Sequence, residues 1–134
     1  MLNRESILRE MGNTCSLWEP EEYRIGCGAA LVLHGVREET RDIDVEVHPR
    51  LFRLYSINFP VQVVDATGIR MISISENIDI HLDSLGEFET IDGLSVSTLP
   101  RIREWKLNRG RPKDLADVML IDEFLRREEL QVGS

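Results

Sequence analysis

The stretch Asp42-Ile43-Asp44-Val45-Glu46-Val47-His48 alternates polar and apolar residues without a break. Successive side chains of a strand point to opposite faces, so this period of two predicts a strand with one buried and one polar face. Ile43, Val45 and Val47 form the buried face; Asp42, Asp44, Glu46 and His48 form the other. Pro49 closes the strand. A chain with such a strand must cover its apolar face with a helix or a second layer, which excludes an all-helical bundle.

The rest of the chain supplies that cover. Residues 4–11 read as a short helix, 12–22 as a loop broken by Gly12, Asn13 and Pro20, and Tyr23–Ile25 as a very short strand. A helical stretch begins around Gly28, runs through Ala29-Ala30-Leu31-Val32-Leu33-His34 and stops at Gly35. Residues 36–41 read as a polar connection and 50–56 as a short helix. Three further strands are expected at Val61–Val64, Ile69–Ile74 and Ile78–Leu82, and a fifth at Leu94–Thr98 after Asp92-Gly93. Leu99–Leu107 reads as a helix, Gly110 breaks it, and Pro112 starts another. Leu115, Val118, Met119, Ile121, Phe124 and Leu125 form the apolar stripe of that last helix. The expected fold is α/β (α+β): a mixed sheet with helices packed mainly on one face.

Length and composition narrow the function classes. The 134 residues suit one domain, with 42% hydrophobic and 30% charged residues, which argues against a disordered chain. No apolar run approaches a membrane span and the N-terminus lacks a secretory signal, so the expected setting is the cytoplasm, with no membrane partner. Cys15 and Cys27 are too few for a disulfide framework, and neither His48 nor His81 completes a zinc set with them. The net charge of −8 disfavours general nucleic-acid binding. Residues 101–113 nevertheless carry six basic groups against one acid, Glu104, and hold the only two lysines, Lys106 and Lys113. That segment either meets a bound anion or pairs with acids on the protein's own surface.

The residues able to carry chemistry begin with Asp42 and Asp44. Two carboxylates on one strand face repel unless a cation lies between them, and Mg²⁺ takes carboxylates together with substrate phosphates. A solvent-facing strand edge explains the same spacing. Fourteen residues earlier, Gly28 opens a helix whose N-terminus suits a phosphate. Asp79 lies between Ile78 and Ile80 on a later strand and offers a third acid; Asp65 is its rival. Asp114 falls where an acid suits a helix N-terminus by the dipole alone, and Asp117 is spaced to pair with Lys113. His34 and Trp105 read as packing residues.

This combination resembles the nucleotidyltransferase fold superfamily of DNA polymerase beta, in which a Gly-Gly or Gly-Ser turn precedes an apolar-flanked DxD and an isolated third acid. Here these are GCGAALVLHGVREETRDIDVEV and NIDIHL. More narrowly it resembles a small bacterial and phage-borne branch that includes abortive-infection and toxin-type nucleotidyltransferases. That branch ends in a K…R.KDL.D stretch, matched here by Lys106, Arg109, Arg111, Lys113-Asp114-Leu115 and Asp117. The resemblance covers about residues 23–122 and implies one nucleotidyltransferase-like domain over 1–134.

The resemblance implies that Asp42, Asp44 and Asp79 bind Mg²⁺ or Mn²⁺, with Asp79 completing the metal set or activating the attacking hydroxyl. It implies that Gly28, Arg37, Thr40, Lys106, Lys113 and Asp114 serve the nucleotide and its phosphates. The implied activity moves a nucleoside monophosphate from an NTP to a hydroxyl of a tRNA, a protein or a small molecule, in a toxin–antitoxin or phage-defence setting. A partner protein or a second copy would supply acceptor-binding surface. Cys27 departs from the pattern, standing where the family has the first glycine. That departure keeps an alternative open, a non-catalytic module that binds a nucleotide or a protein.

Overall fold

The computed structural model describes residues 1–64 and 66–132. The chain opens with β1 (Leu2–Asn3) and α1 (Arg4–Thr14), then a 3-10 turn at Pro20–Glu22. β2 (Tyr23–Gly26), α2 (Cys27–His34), β3 (Glu39–Thr40), β4 (Ile43–Val47) and α3 (Pro49–Ser56) follow. The second half holds β5 (Gln62–Val63), β6 (Arg70–Ser73), β7 (Ile78–Leu82), β8 (Phe88–Ile91), β9 (Leu94–Ser97), α4 (Leu99–Arg109) and α5 (Pro112–Val132).

Seven strands form one mixed sheet in the order β5-β6-β7-β4-β2-β9-β8. β4 runs parallel to β7 and β2 parallel to β9; the other neighbours are antiparallel. β1 and β3 pair separately. The alternation in β4 works as expected: Ile43, Val45 and Val47 are fully buried, while Asp44 and Glu46 are only partly covered. Ile78 and Ile80 of β7, Ile72 of β6 and Ile25 of β2 join the same core. Residues Ala29 to Leu33 of α2 are all buried against β2, β4 and β9, and α3 covers β6 and β7. α4 packs on α2 and α5, and α5 adds Ile121 to the core. This is the mixed α/β fold expected from the sequence.

Local signals explain the ends. Asn3 caps α1, its side chain accepting from Ser6 N at 2.9 Å. α1 runs on through Gly12 to Thr14, past the expected end at residue 11, because Ile7 and Met11 are anchored in the core. His48 caps α3 through Nδ1, which accepts from Arg50 N at 3.1 Å, and Pro49 takes the first helical position.

Three strands lie where the sequence suggested none, the first being β1 at Leu2–Asn3. β3 falls inside the polar connection of residues 36–41 and owes its existence to pairing with β1. β8 pairs with β9 through the two-residue turn Asp92-Gly93, both with positive φ (50° and 80°). That is the geometry of a tight hairpin whose twist matches the strands. Phe-Glu-Thr-Ile is a weak strand by itself, and the hairpin completes it.

Candidate functional site

The parallel pairing of β4 and β7 sets Asp44 directly opposite Asp79 and Glu46 opposite His81. On the other side of β4, Gly26 lies opposite Asp44, so the start of α2 is level with the acids. Asp42 sits one residue before β4 and is exposed. Its carboxyl is pushed above the usual range, first by partial desolvation and then by the charges of Asp44 and Asp79. A cation beside Asp42 would offset the like charges that oppose its ionisation. The donors are carboxylate oxygens, which fits Mg²⁺ or Mn²⁺. Among the described residues, no group of three or more His, Cys, Asp or Glu side chains is gathered as a set of metal ligands. Asp65 lies outside the described residues.

Asp44, Asp79 and Glu46 each have a partner. Asp44 Oδ1 is 3.0 Å from His81 Nε2; a carboxylate only accepts, so Nε2 carries the proton. Asp79 Oδ1 accepts from Ser73 Oγ at 2.7 Å. Glu46 accepts from Arg101 at 3.2 Å, yet burial pushes its carboxyl above the usual range.

At the start of α2 the chain is tightly packed. A Cβ on Gly28 would stand 2.2 Å from Thr40 Oγ1 and 3.5 Å from Arg37 Nη1. The group that closely approaches this glycine is therefore Thr40, itself buried. Cys27 has φ of +49°, a left-handed conformation in which glycine is at ease and a side chain is strained. Burial, then the charge of Asp44, pushes its thiol up to about 12. It is a neutral wall of the site and no nucleophile.

The basic segment resolves into pairs. Lys106 is 5% exposed, with Nζ 2.8 Å from Asp117 and 3.8 Å from Asp114. Asp114 is 1% exposed and accepts from Arg111 Nε at 2.6 Å, which holds its carboxyl below the usual range. Arg37 reaches Asp117 at 3.7 Å, Arg103 pairs with Asp122, and the Arg109 guanidinium lies 4.8 Å from the Trp105 ring centre. Of the two readings of residues 101–113, pairing with the protein's own acids accounts for most of its charge. The expected Lys113–Asp117 pair gives way to Lys106–Asp117. His34 is a packing residue, with Nε2 2.8 Å from Ser97 O.

A cavity of about 540 Å³ opens between the polar face of β4–β7 and helices α4 and α5. Its lining includes Gly28, Arg37, Thr40, Asp44, Lys106, Lys113 and Asp114 from the expected set, but not Asp42 or Asp79. It also includes residues to which the sequence reading gave no role in the site: Arg41, Glu46, Met71, His81 and Asp83, with Trp105 and Arg109 across from them. The signal for His81 and Asp83 was present, since they follow Asp79 at the same period of two.

No protein-family model matches the chain, and no curated protein matches it. Solved structures do. JHP933 from Helicobacter pylori aligns over 86% of this chain with 20% identity and a TM-score of 0.51. A second solved structure, of a Helicobacter pylori protein provisionally assigned as a nucleotidyltransferase, aligns over 78% with 19% identity and a TM-score of 0.46. The match spans 62% of the chain in the JHP933 structure and 56% of the chain in the second. No described helix is long and apolar enough to cross a membrane. The chain has the mixed α/β fold of JHP933.

Proposed function

We propose that the chain is a divalent-cation-dependent nucleotidyltransferase, transferring a nucleoside monophosphate from an NTP to a hydroxyl with release of pyrophosphate. The observation that carries this reading is the register that brings Asp44 level with both Asp79 and the start of α2, beside a cavity of about 540 Å³. That volume suits a nucleotide-sized ligand.

In this reading Asp42, Asp44 and Asp79 hold Mg²⁺ or Mn²⁺. The cation, when bound, supplies positive charge to the phosphoryl oxygens of the transferring group. The free N–H groups at the start of α2 face the phosphates. Lys113, exposed at the cavity edge, adds a mobile cation. Lys106, Arg37 and Asp117 form a fixed brace beside it, and Asp114 anchors that brace through Arg111. The acceptor oxygen forms a bond to the α-phosphorus as the bridge to the β-phosphate breaks. Asp79 accepts the hydroxyl proton or completes the cation's ligands.

The acceptor is an RNA, a protein or a small molecule. The internal pairing of residues 101–113 weakens the case for a large RNA, because paired arginines do not release counterions from phosphates. The toxin–antitoxin or phage-defence setting, and a partner protein or second copy, rest on the sequence resemblance alone. One observation favours the non-catalytic alternative: Cys27 puts a side chain in the left-handed turn where the pattern has glycine.

The test is a thermal-shift titration of each NTP with and without Mg²⁺, on wild type and Asp44→Asn. A ligand at 100 times its dissociation constant adds roughly 2.7 kcal/mol of stability. Stabilisation that needs both Mg²⁺ and Asp44 is expected, together with transfer of labelled nucleotide to an acceptor in a lysate. Stabilisation without transfer favours the binding module. No stabilisation by any NTP overturns the enzyme and the nucleotide-binding module, and leaves a module that binds a protein partner.

A further inference from the structure

We propose that His81 is a positioning residue for Asp44, fixing the carboxylate that receives the divalent cation. The inference rests on the cation-dependent reading above and assigns a residue that the sequence pattern does not.

Three observations meet at this histidine. Its Nε2 lies 3.0 Å from Asp44 Oδ1, a contact between β7 and β4. The two strands are parallel and in register, with Asp79 opposite Asp44 and His81 opposite Glu46, so the imidazole reaches diagonally past Glu46 to the carboxylate. Both side chains line the cavity, and both are partly sheltered, at 18% exposed for His81 and 32% for Asp44. A hydrogen bond to an ion is worth more than a neutral one, and shelter strengthens it further.

The chemistry follows from the donor count. Asp44 has two oxygens. His81 occupies Oδ1 with an N–H donor and leaves Oδ2 to a cation. The hydrogen bond holds the carboxylate in one rotamer beside Asp42 and Asp79, whose charges otherwise push it away. Carboxylates that ligate metals are commonly held by such outer partners, and removing the partner costs about 10–100-fold in metal affinity. Asp79 has the equivalent support in Ser73, whose Oγ donates at 2.7 Å. Asp44 of β4 is thus held from β7 and Asp79 of β7 from β6, each from the strand next to its own.

The experiment is a calorimetric titration of Mg²⁺ alone into the metal-free full chain, for wild type, His81→Ala, His81→Gln and Asp44→Asn. The glutamine amide places an N–H donor close to the position of Nε2, so His81→Gln separates the hydrogen bond from the bulk of the ring. Affinity for Mg²⁺ is expected to fall by about tenfold or more in His81→Ala and to return in His81→Gln. Unchanged or tighter binding by His81→Ala overturns the proposal, the tighter case making the histidine a competitor of the cation. Equal loss in both His81 variants overturns it too, because the ring's packing would then be what matters. Wild-type Mg²⁺ affinity in Asp44→Asn overturns the cation-dependent reading itself, which keeps the two failures distinct.

Discussion

Gly28 and Asp42 show how single residues trade space and charge at this site. Gly28 faces Thr40 so closely that a methyl group there would stand 2.2 Å from Oγ1. Gly28→Ala is expected to destabilise the fold by about 1–3 kcal/mol, the usual cost of overpacking. Thr40→Ala should restore part of that loss by removing the obstructing hydroxyl. Urea denaturation of both single variants and the double variant measures the coupling. Asp42 acts through charge. Its folded carboxyl titrates above the unfolded value, so the fold favours its protonated form. The corresponding stability is full below the unfolded value of about 4 and is lost as pH rises through the folded one. At pH 7 the ionised Asp42 therefore opposes folding. Asp42→Asn is expected to raise the melting temperature in EDTA at pH 7. The gain should stay below about 1 kcal/mol, because the residue is exposed and water screens it. Scans at pH 4 and pH 7 should show the difference between wild type and variant shrinking at the lower pH.

Helices α4 and α5 are joined by charge as well as by packing. Lys106 is buried with Asp117 and Asp114, and Arg111 closes the group from the outside. Removing one member leaves another buried and under-compensated. Asp114→Ala is expected to cost about 3 kcal/mol in urea denaturation, whereas Arg103→Ala, at an exposed pair, should cost far less. The same helices show what a sequence discloses. The helix-breaking Gly110 and the Pro112 restart were readable, because backbone restrictions are local. The strand β4 was readable because its period of two has one physical reading. Strands β1, β3 and β8 were not, since each exists only through its partner. The candidate site divides in the same way. Asp44 and Gly28, which the motif spacing singled out, both line the cavity. The Lys106–Asp117 pair replaced the expected Lys113–Asp117 pair, because burial and not spacing selects the partner. His81 was weighed only as a zinc ligand, and its bond to Asp44 depends on the register of two strands 35 residues apart in the chain (79 − 44).

At the scale of the whole molecule, the sheet is built from pieces that close over very different lengths of chain. The hairpin of β8 and β9 turns within two residues, while the junction of β9 with β2 pairs Ile25 with Val96, 71 residues apart (96 − 25). Closing a loop of that length costs roughly 4 kcal/mol of chain entropy. The junction also links the acid-bearing strands to β9, and α4 with Lys106 follows β9 directly. Native-state hydrogen exchange is expected to report a lower opening free energy for amides of β9 and α4 than for those of β4 and β7. Opening at that seam leaves the carboxylates together and carries the lysine away. The β2–β9 seam then works as a clasp: a ligand that touches both the carboxylates and the α4 wall of the cavity slows exchange along β9, whose residues do not line that cavity.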